Sequence, residues 1–291
     1  MRANPSEYEL VSPETLAAVL ELMAREPGGW MPIAGGTELM VQFGAGRLRA
    51  KRLVNIFGLA ELGGIEATPE GVRIGAGCTY TALRRSEVVA SEFPLLGLAA
   101  GWTGSIANQN RGTLGGNLVN GSPAADSPPA LLAYEAEVEL VSARGSRRVP
   151  YAEFHTGYKT SVLGADELVK AVWLPRPGRH DVQYLRKVGP RNAMAISKVA
   201  MGAVGSIEAG RVVTVRIGLA SVSHAPLRCV ATEELLNGAV LSEGLVAEAR
   251  GCLMDEIAPL DDIRSTGTYR AQVAGNLLEE FLGQLGGQSK A

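Results

Sequence analysis

The chain has 291 residues, 46% of them hydrophobic, with 28 Lys and Arg against 30 Asp and Glu and a formal net charge of -2. That is length for two domains, and the scattered, balanced charge offers no basic footprint, so no nucleic-acid partner is expected. No apolar run approaches the roughly 20 residues of a membrane span, and Met1-Arg2-Ala3-Asn4-Pro5-Ser6-Glu7 lacks a signal-peptide core, so the expected location is cytoplasmic. Cys78, Cys229 and Cys252, like His155, His180 and His224, are dispersed without ligand spacing, and neither a disulfide framework nor a metal or iron–sulfur site is expected on this chain.

In chain order, Tyr8-Glu9-Leu10 predicts a short strand, and Ser12-Pro13-Glu14 opens a helix whose apolar face is Leu16, Val19, Leu20 and Met23. Gly28-Gly29 ends it. Trp30-Met31-Pro32-Ile33-Ala34 is then a strand running into Gly35-Gly36-Thr37-Glu38, with a helical turn from Leu39. A strand follows at 52–56, and a hairpin at 65–67 and 72–76 around Thr68-Pro69-Glu70-Gly71. Helices are expected over 81–89 and 95–107, a hairpin over 138–149, and a strand over 168–174 stopped by Pro175. From about residue 180 the pattern becomes a separate α+β lobe: a strand at 183–188, a long apolar hairpin at 199–207 and 212–221, and helices at 232–236, 245–257 and 268–282 laid on one face.

The most informative stretch is residues 111–126, RGTLGGNLVNGSPAAD. Its glycines permit positive φ and close approach to the main chain, so consecutive N–H groups are expected to converge on an anion without Lys or Arg. The helix expected from Pro128, capped by Asp126 or Ser127, adds a favourable dipole. Taken alone, the stretch reads equally as a surface loop. The second strand, glycine turn and helix start, around Gly35-Gly36-Thr37-Glu38, suits a dinucleotide whose pyrophosphate lies between the two loops. That turn lacks both the G-x-G-x-x-G spacing of the Rossmann fold and a P-loop Lys, so a nucleotide fold of another kind is required.

Pro32-Ile33-Ala34-Gly35-Gly36-Thr37-Glu38-Leu39, with Thr113-Leu114-Gly115-Gly116-Asn117 and Ser122-Pro123-Ala124-Ala125-Asp126, resembles the paired FAD motifs of the flavin (medium) subunit of molybdenum hydroxylases, the carbon monoxide dehydrogenase and xanthine dehydrogenase group. The resemblance extends through Glu167-Leu168-Val169, Tyr184-Leu185-Arg186-Lys187-Val188 and Asp262-Ile263-Arg264-Ser265-Thr266-Gly267-Thr268-Tyr269-Arg270, nearly the whole chain. It implies an α+β fold: a vanillyl-alcohol-oxidase (PCMH-type) FAD-binding domain over 1–178, with subdomains of about 1–57 and 58–178, then a smaller α+β domain over 179–291. It assigns the FAD pyrophosphate and neighbouring atoms to Ile33, Ala34, Gly35, Gly36, Thr37, Glu38 and Leu39, and to Thr113, Gly115, Gly116 and Asn117, with Ser122 in the same set. Asp126 would accept from FAD hydroxyls, Val169 would pack on the isoalloxazine, and Lys187 would sit at its polar edge, where an ammonium stabilises the reduced ring.

No histidine stands near either motif, so the FAD is expected to be non-covalent. The resemblance also implies partners: a small subunit with two 2Fe–2S clusters and a large molybdenum-pterin subunit, with NAD, a quinone or oxygen as acceptor. Residues 189–194 would flank the flavin, and Trp102, Leu118 and Val119 are either partner-facing or plain core. Two alternatives stay open on the residues themselves, a self-contained FAD-dependent reductase of the same fold and a non-catalytic nucleotide-binding protein.

Overall fold

Short parallel strands need crossover connections, and the N-terminal region supplies them with helices. β1 (Glu9–Val11), β2 (Met31–Ile33) and β3 (Arg52–Asn55) form a parallel sheet in the order β1-β3-β2. The computed structural model describes residues 3–288 apart from 177, 179, 192 and 193. The first crossover helix, Leu16–Arg25, starts one turn later than Ser12-Pro13-Glu14 suggests, because Thr15 is its cap and accepts from the Ala18 N–H at 3.2 Å. Its face Leu16, Val19, Leu20 and Met23 is buried with Trp30, Val54 and Leu62, as the spacing requires.

The next sheet is antiparallel. β4 (Ile65–Ala67) and β5 (Gly71–Gly75) form one hairpin, β6 (Glu137–Ser142) and β7 (Gly145–Pro150) another, and β8 (His155–Gly157) with β9 (Thr160–Ser161) a small ribbon. β10 (Leu168–Pro175) inserts between the two larger hairpins, giving the order β4-β5-β10-β6-β7. The segment between β5 and β6 is helical, in shorter pieces than expected. Ser86 takes an extended conformation and caps a new helix, dividing the expected 81–89 helix into Tyr80–Arg85 and Glu87–Glu92. The 95–107 helix divides likewise into Pro94–Trp102 and Ile106–Arg111, where Gly104 at φ 60 precedes a capping box of Ser105 and Asn108.

The last sheet is β11 (Val182–Val188), β12 (Val199–Glu208), β13 (Arg211–Ala220) and β14 (Leu227–Arg228), antiparallel in that order. Helices Val230–Leu236, Glu243–Glu256 and Gly267–Gln288 share a core with it through Leu236, Leu253, Leu278 and Phe281 against Met201, Ala203 and Ile217. The sheet is also covered by a helix of the preceding region, Pro128–Ala133, all six residues of which are buried. Gly202 and Gly218, paired across β12 and β13, make this possible. A Cβ on Gly202 would lie 2.7 Å from the Pro129 carbonyl carbon, and one on Gly218 2.5 Å from its oxygen. Two glycines side by side thus leave a trough in which the helix backbone lies on the sheet.

Candidate cofactor site

β2 ends at Ile33 and the chain turns through Ala34, Gly35 and Gly36, the last at φ 74, before helix Leu39–Gly44 begins. Ile33 and Leu39 pack with Phe43, Leu48 and Leu53, which anchors both ends of the turn. Between them, the N–H groups of Gly35, Gly36, Thr37 and Glu38 donate to no acceptor among the described residues. Donors left unpaired at a helix start are the element that an anionic group completes.

The second glycine stretch differs from its reading as an open loop. Residues Leu114–Asn120 are helical, and Thr113 caps them by accepting from the Gly116 N–H at 3.1 Å. The Leu114 N–H donates to the Cys78 carbonyl and the Gly115 N–H to the Ala76 carbonyl, each at 2.9 Å. Three successive N–H groups are therefore used inside the protein and are not available to an anion, a correction to the expectation above. Gly115 is small for a packing reason, since a Cβ there would lie 2.6 Å from the Ala76 Cβ. What this helix offers is Asn117, whose Oδ1 is buried without a hydrogen-bond partner. A buried orphan acceptor calls for a donor that the protein does not supply.

The two glycine units, far apart in sequence, touch. Gly35 lies so close to the Arg111 carbonyl that a Cβ would come within 1.7 Å of its oxygen. Only glycine permits that approach. The Arg111 guanidinium in turn covers the Phe57 ring at 4.0 Å.

Beyond Gly121, in the left-handed region at φ 59, the 122–126 loop is tightened by Ser122, whose Oγ accepts from Ala124 and whose carbonyl accepts from Ala125. It delivers Asp126 to Lys187 of β11: Nζ lies 2.8 Å from Oδ1 and 2.9 Å from Oδ2, with side chains 11% and 6% exposed. The Ser197 hydroxyl donates to Asp126 Oδ1 at 3.0 Å, and Lys187 also reaches the Trp102 carbonyl at 3.4 Å. Burial pushes the Asp126 carboxyl above the ordinary carboxylate range, and Lys187 and Ser197 pull it back only in part. Asp126 is thus not a helix cap. Ser127 holds the cap position of Pro128–Ala133, without a side-chain cap bond. Val169 is 5% exposed and lies in the core with Leu114 and Leu118. Leu118 is therefore core, whereas Val119 is 48% exposed.

Sequence reasoning did not find Tyr80 and Ser197. Tyr80 is buried against Gly112, with its hydroxyl facing those of Ser127 and Thr103. Burial drives its phenol upward, the neighbouring Asp126 charge adding to the effect, so the group stays neutral. A lone serine and a tyrosine at a helix start carry no local signal. In the 189–194 segment, Arg191 donates to the Met194 carbonyl, and Asn192 and Ala193 lie outside the described residues.

The arrangement matches known proteins along most of its length. Residues 6–177 match the family described as the FAD binding domain in molybdopterin dehydrogenase, and residues 184–285 match the CO dehydrogenase flavoprotein C-terminal domain. The chain is 30% identical over 272 residues to the xanthine dehydrogenase FAD-binding subunit of Escherichia coli O157:H7, covering 93% of each. It is 27% identical over 278 residues to the carbon monoxide dehydrogenase medium chain of Afipia carboxidovorans, covering 94% of this chain and 95% of that one. Among solved structures, carbon monoxide dehydrogenase from Hydrogenophaga pseudoflava superposes with a TM-score of 0.92 at 25% identity, covering 98% of both chains. An α+β FAD-binding domain followed by a smaller C-terminal domain, matched over both its parts, places this chain in the family of FAD-binding medium subunits of the xanthine and carbon monoxide dehydrogenases, an oxidoreductase family.

Proposed function

We propose that this chain binds FAD non-covalently and serves as the electron-transfer subunit of a molybdenum hydroxylase. The observation that carries the reading is the contact of Gly35 with the Arg111 carbonyl, beside four unpaired N–H groups at residues 35–38 and the orphaned Asn117 Oδ1. The unpaired donors suit a pyrophosphate, which only accepts, and the Asn117 acceptor suits a hydroxyl or N–H elsewhere on FAD, so the residues present fit the cofactor. Bound FAD supplies a centre that accepts single electrons and releases two together.

In this reading Ile33, Ala34, Gly35, Gly36, Thr37, Glu38 and Leu39 form one wall of the site, and Thr113, Gly115, Gly116, Asn117 and Ser122 the other. The second wall acts through shape and Asn117, because its first N–H groups are occupied. Asp126 and Lys187 act as one unit: the ammonium stabilises negative charge on a reduced ring, and the carboxylate moderates that field. Val169 supports the site from the core. The two domains divide at about residue 178, and the N-terminal one into parts of about 1–57 and 58–178, in keeping with the separate sheets.

Electrons would enter from 2Fe–2S clusters of a small partner subunit, itself supplied by a large molybdenum-pterin subunit, and leave to NAD, a quinone or oxygen. Names of relatives such as "medium chain" support such an assembly. No helix among the described residues is long and apolar enough to cross a membrane, and a cytoplasmic location is proposed with the rest. The test is an absorption spectrum of the protein with whatever co-purifies, before and after anaerobic reduction. Flavin bands that bleach, together with iron–sulfur absorbance and two further chains, are expected. Flavin in a lone chain reduced directly by a pyridine nucleotide would favour the self-contained reductase, and a colourless protein that takes up no FAD would overturn both.

A further inference from the structure

The motif at 262–270 has no part in the site described above, yet its last residue is a buried arginine. Arg270, 4% exposed, stands in the first turn of helix Gly267–Gln288. Its Nη2 donates to Asp262 Oδ1 at 2.7 Å, and its Nη1 to the carbonyls of Lys198 at 2.6 Å and Ser221 at 3.3 Å. Asp262 is held ready for it by a closed turn, in which the same Oδ1 accepts from the N–H groups of Arg264 and Ser265.

The two carbonyls that Arg270 bridges stand just outside the paired ends of β12 and β13, where Ala200 faces Ala220. Ser221 has φ 67, a left-handed conformation that a non-glycine residue keeps only where its surroundings hold it. So held, it turns its N–H to the Pro123 carbonyl at 2.7 Å and its hydroxyl to the Ser197 carbonyl at 3.0 Å. Ser197, fully buried, passes its own hydroxyl to Asp126 Oδ1 at 3.0 Å. The chain of contacts is unbroken, from the 262–265 turn through Arg270, Ser221 and Ser197 to the 122–126 loop.

We infer that Arg270 is a positioning residue for the cofactor site: through Ser221 and Ser197 it clamps the 122–126 loop to the C-terminal sheet and sets where Asp126 and Lys187 stand. This rests on the FAD reading of that site. It extends the part of the C-terminal domain in the cofactor site beyond Lys187, through hydrogen bonds at the open end of one strand pair. It also explains why an arginine is needed, since a single planar group reaches two carbonyls and a carboxylate at once.

The experiment compares full-length wild type with Arg270→Met and Leu253→Ala. Leu253 is buried in the same domain but makes no contact in this chain of hydrogen bonds, so its truncation destabilises the domain without touching the clamp. Hydrogen–deuterium exchange of the 122–127 peptide is read in the FAD-free proteins, then the FAD dissociation constant, and then the midpoint potential of bound flavin. Arg270→Met is expected to speed exchange in that peptide about tenfold, raise the FAD dissociation constant about tenfold and shift the potential, while Leu253→Ala leaves all three near wild type. If both variants alter the three readouts alike, or if Arg270→Met alters none, the clamp is overturned. Should Arg270→Met fail to fold, Ser197→Ala, which removes only the last link, takes its place with the same expectation for the loop and the potential. Wild type that takes up no FAD overturns the flavin reading instead, and the exchange data still decide the clamp.

Discussion

Replacing Lys187 by methionine keeps the length of the side chain and removes the only cation within hydrogen-bonding distance of Asp126 among the described residues. Breaking a buried ion pair from one side costs about 3–5 kcal/mol, because the remaining charge is uncompensated. The carboxylate can escape by taking a proton, at about 1.4 kcal/mol for each pH unit above its ordinary value of 3.8. Escape caps the penalty at about 5 kcal/mol at pH 7.5 and about 2 kcal/mol at pH 5.5. In the variant the folded-state pKa of Asp126 is further above its unfolded value than in wild type, so the deficit vanishes below the unfolded value and grows as pH rises toward the folded one. Urea unfolding followed by tryptophan fluorescence at the two pH values measures it. Lys187→Met should be clearly less destabilised at the lower pH, and adding Asp126→Asn should recover most of the loss at the higher one. Equal destabilisation at both pH values, or a double variant no more stable than the single one, would refute the reasoning.

Three further outcomes follow from the same geometry. Gly35→Ala places a methyl group on the Arg111 carbonyl and should cost about 1–3 kcal/mol, or more if the loops separate, with loss of FAD uptake; melting and flavin titration measure both. Asn117→Ala removes an orphaned buried acceptor, so the FAD-free protein should melt no lower than wild type while flavin fluorescence titration reports weaker binding. Thr113→Ala removes the cap of helix Leu114–Asn120 and should cost about 1 kcal/mol in urea unfolding.

The parts of this protein legible in its sequence are those whose cause lies within a few residues. The hairpin turn at 68–71, the apolar spacing of Leu16, Val19, Leu20 and Met23, and the long apolar hairpin after residue 199 follow from local turn chemistry and periodicity, and the structure has them. The same local rules overextended two helices, because a serine that can cap and a glycine that can turn break a helix only when the packing needs a new direction. The two glycine motifs were visible, but not their different uses: one holds unpaired N–H groups, the other lets a helix approach Ala76.

Backbone proximity was beyond the sequence for a physical reason. Gly35 against Arg111, Gly202 and Gly218 beneath Pro129, and β10 between two hairpins are contacts of main chain with distant main chain. Such contacts leave a glycine or an ordinary strand in the sequence without naming the partner. Ser197, Tyr80 and Arg270 are likewise ordinary residues made specific by what surrounds them. Periodicity and turn chemistry determined the kind of elements and their order, and the family the motifs resemble supplied the class of ligand; tertiary packing alone decided which N–H groups stay unpaired and which carboxylate meets Lys187, because desolvation and hydrogen-bond geometry exist only once distant segments exclude water together.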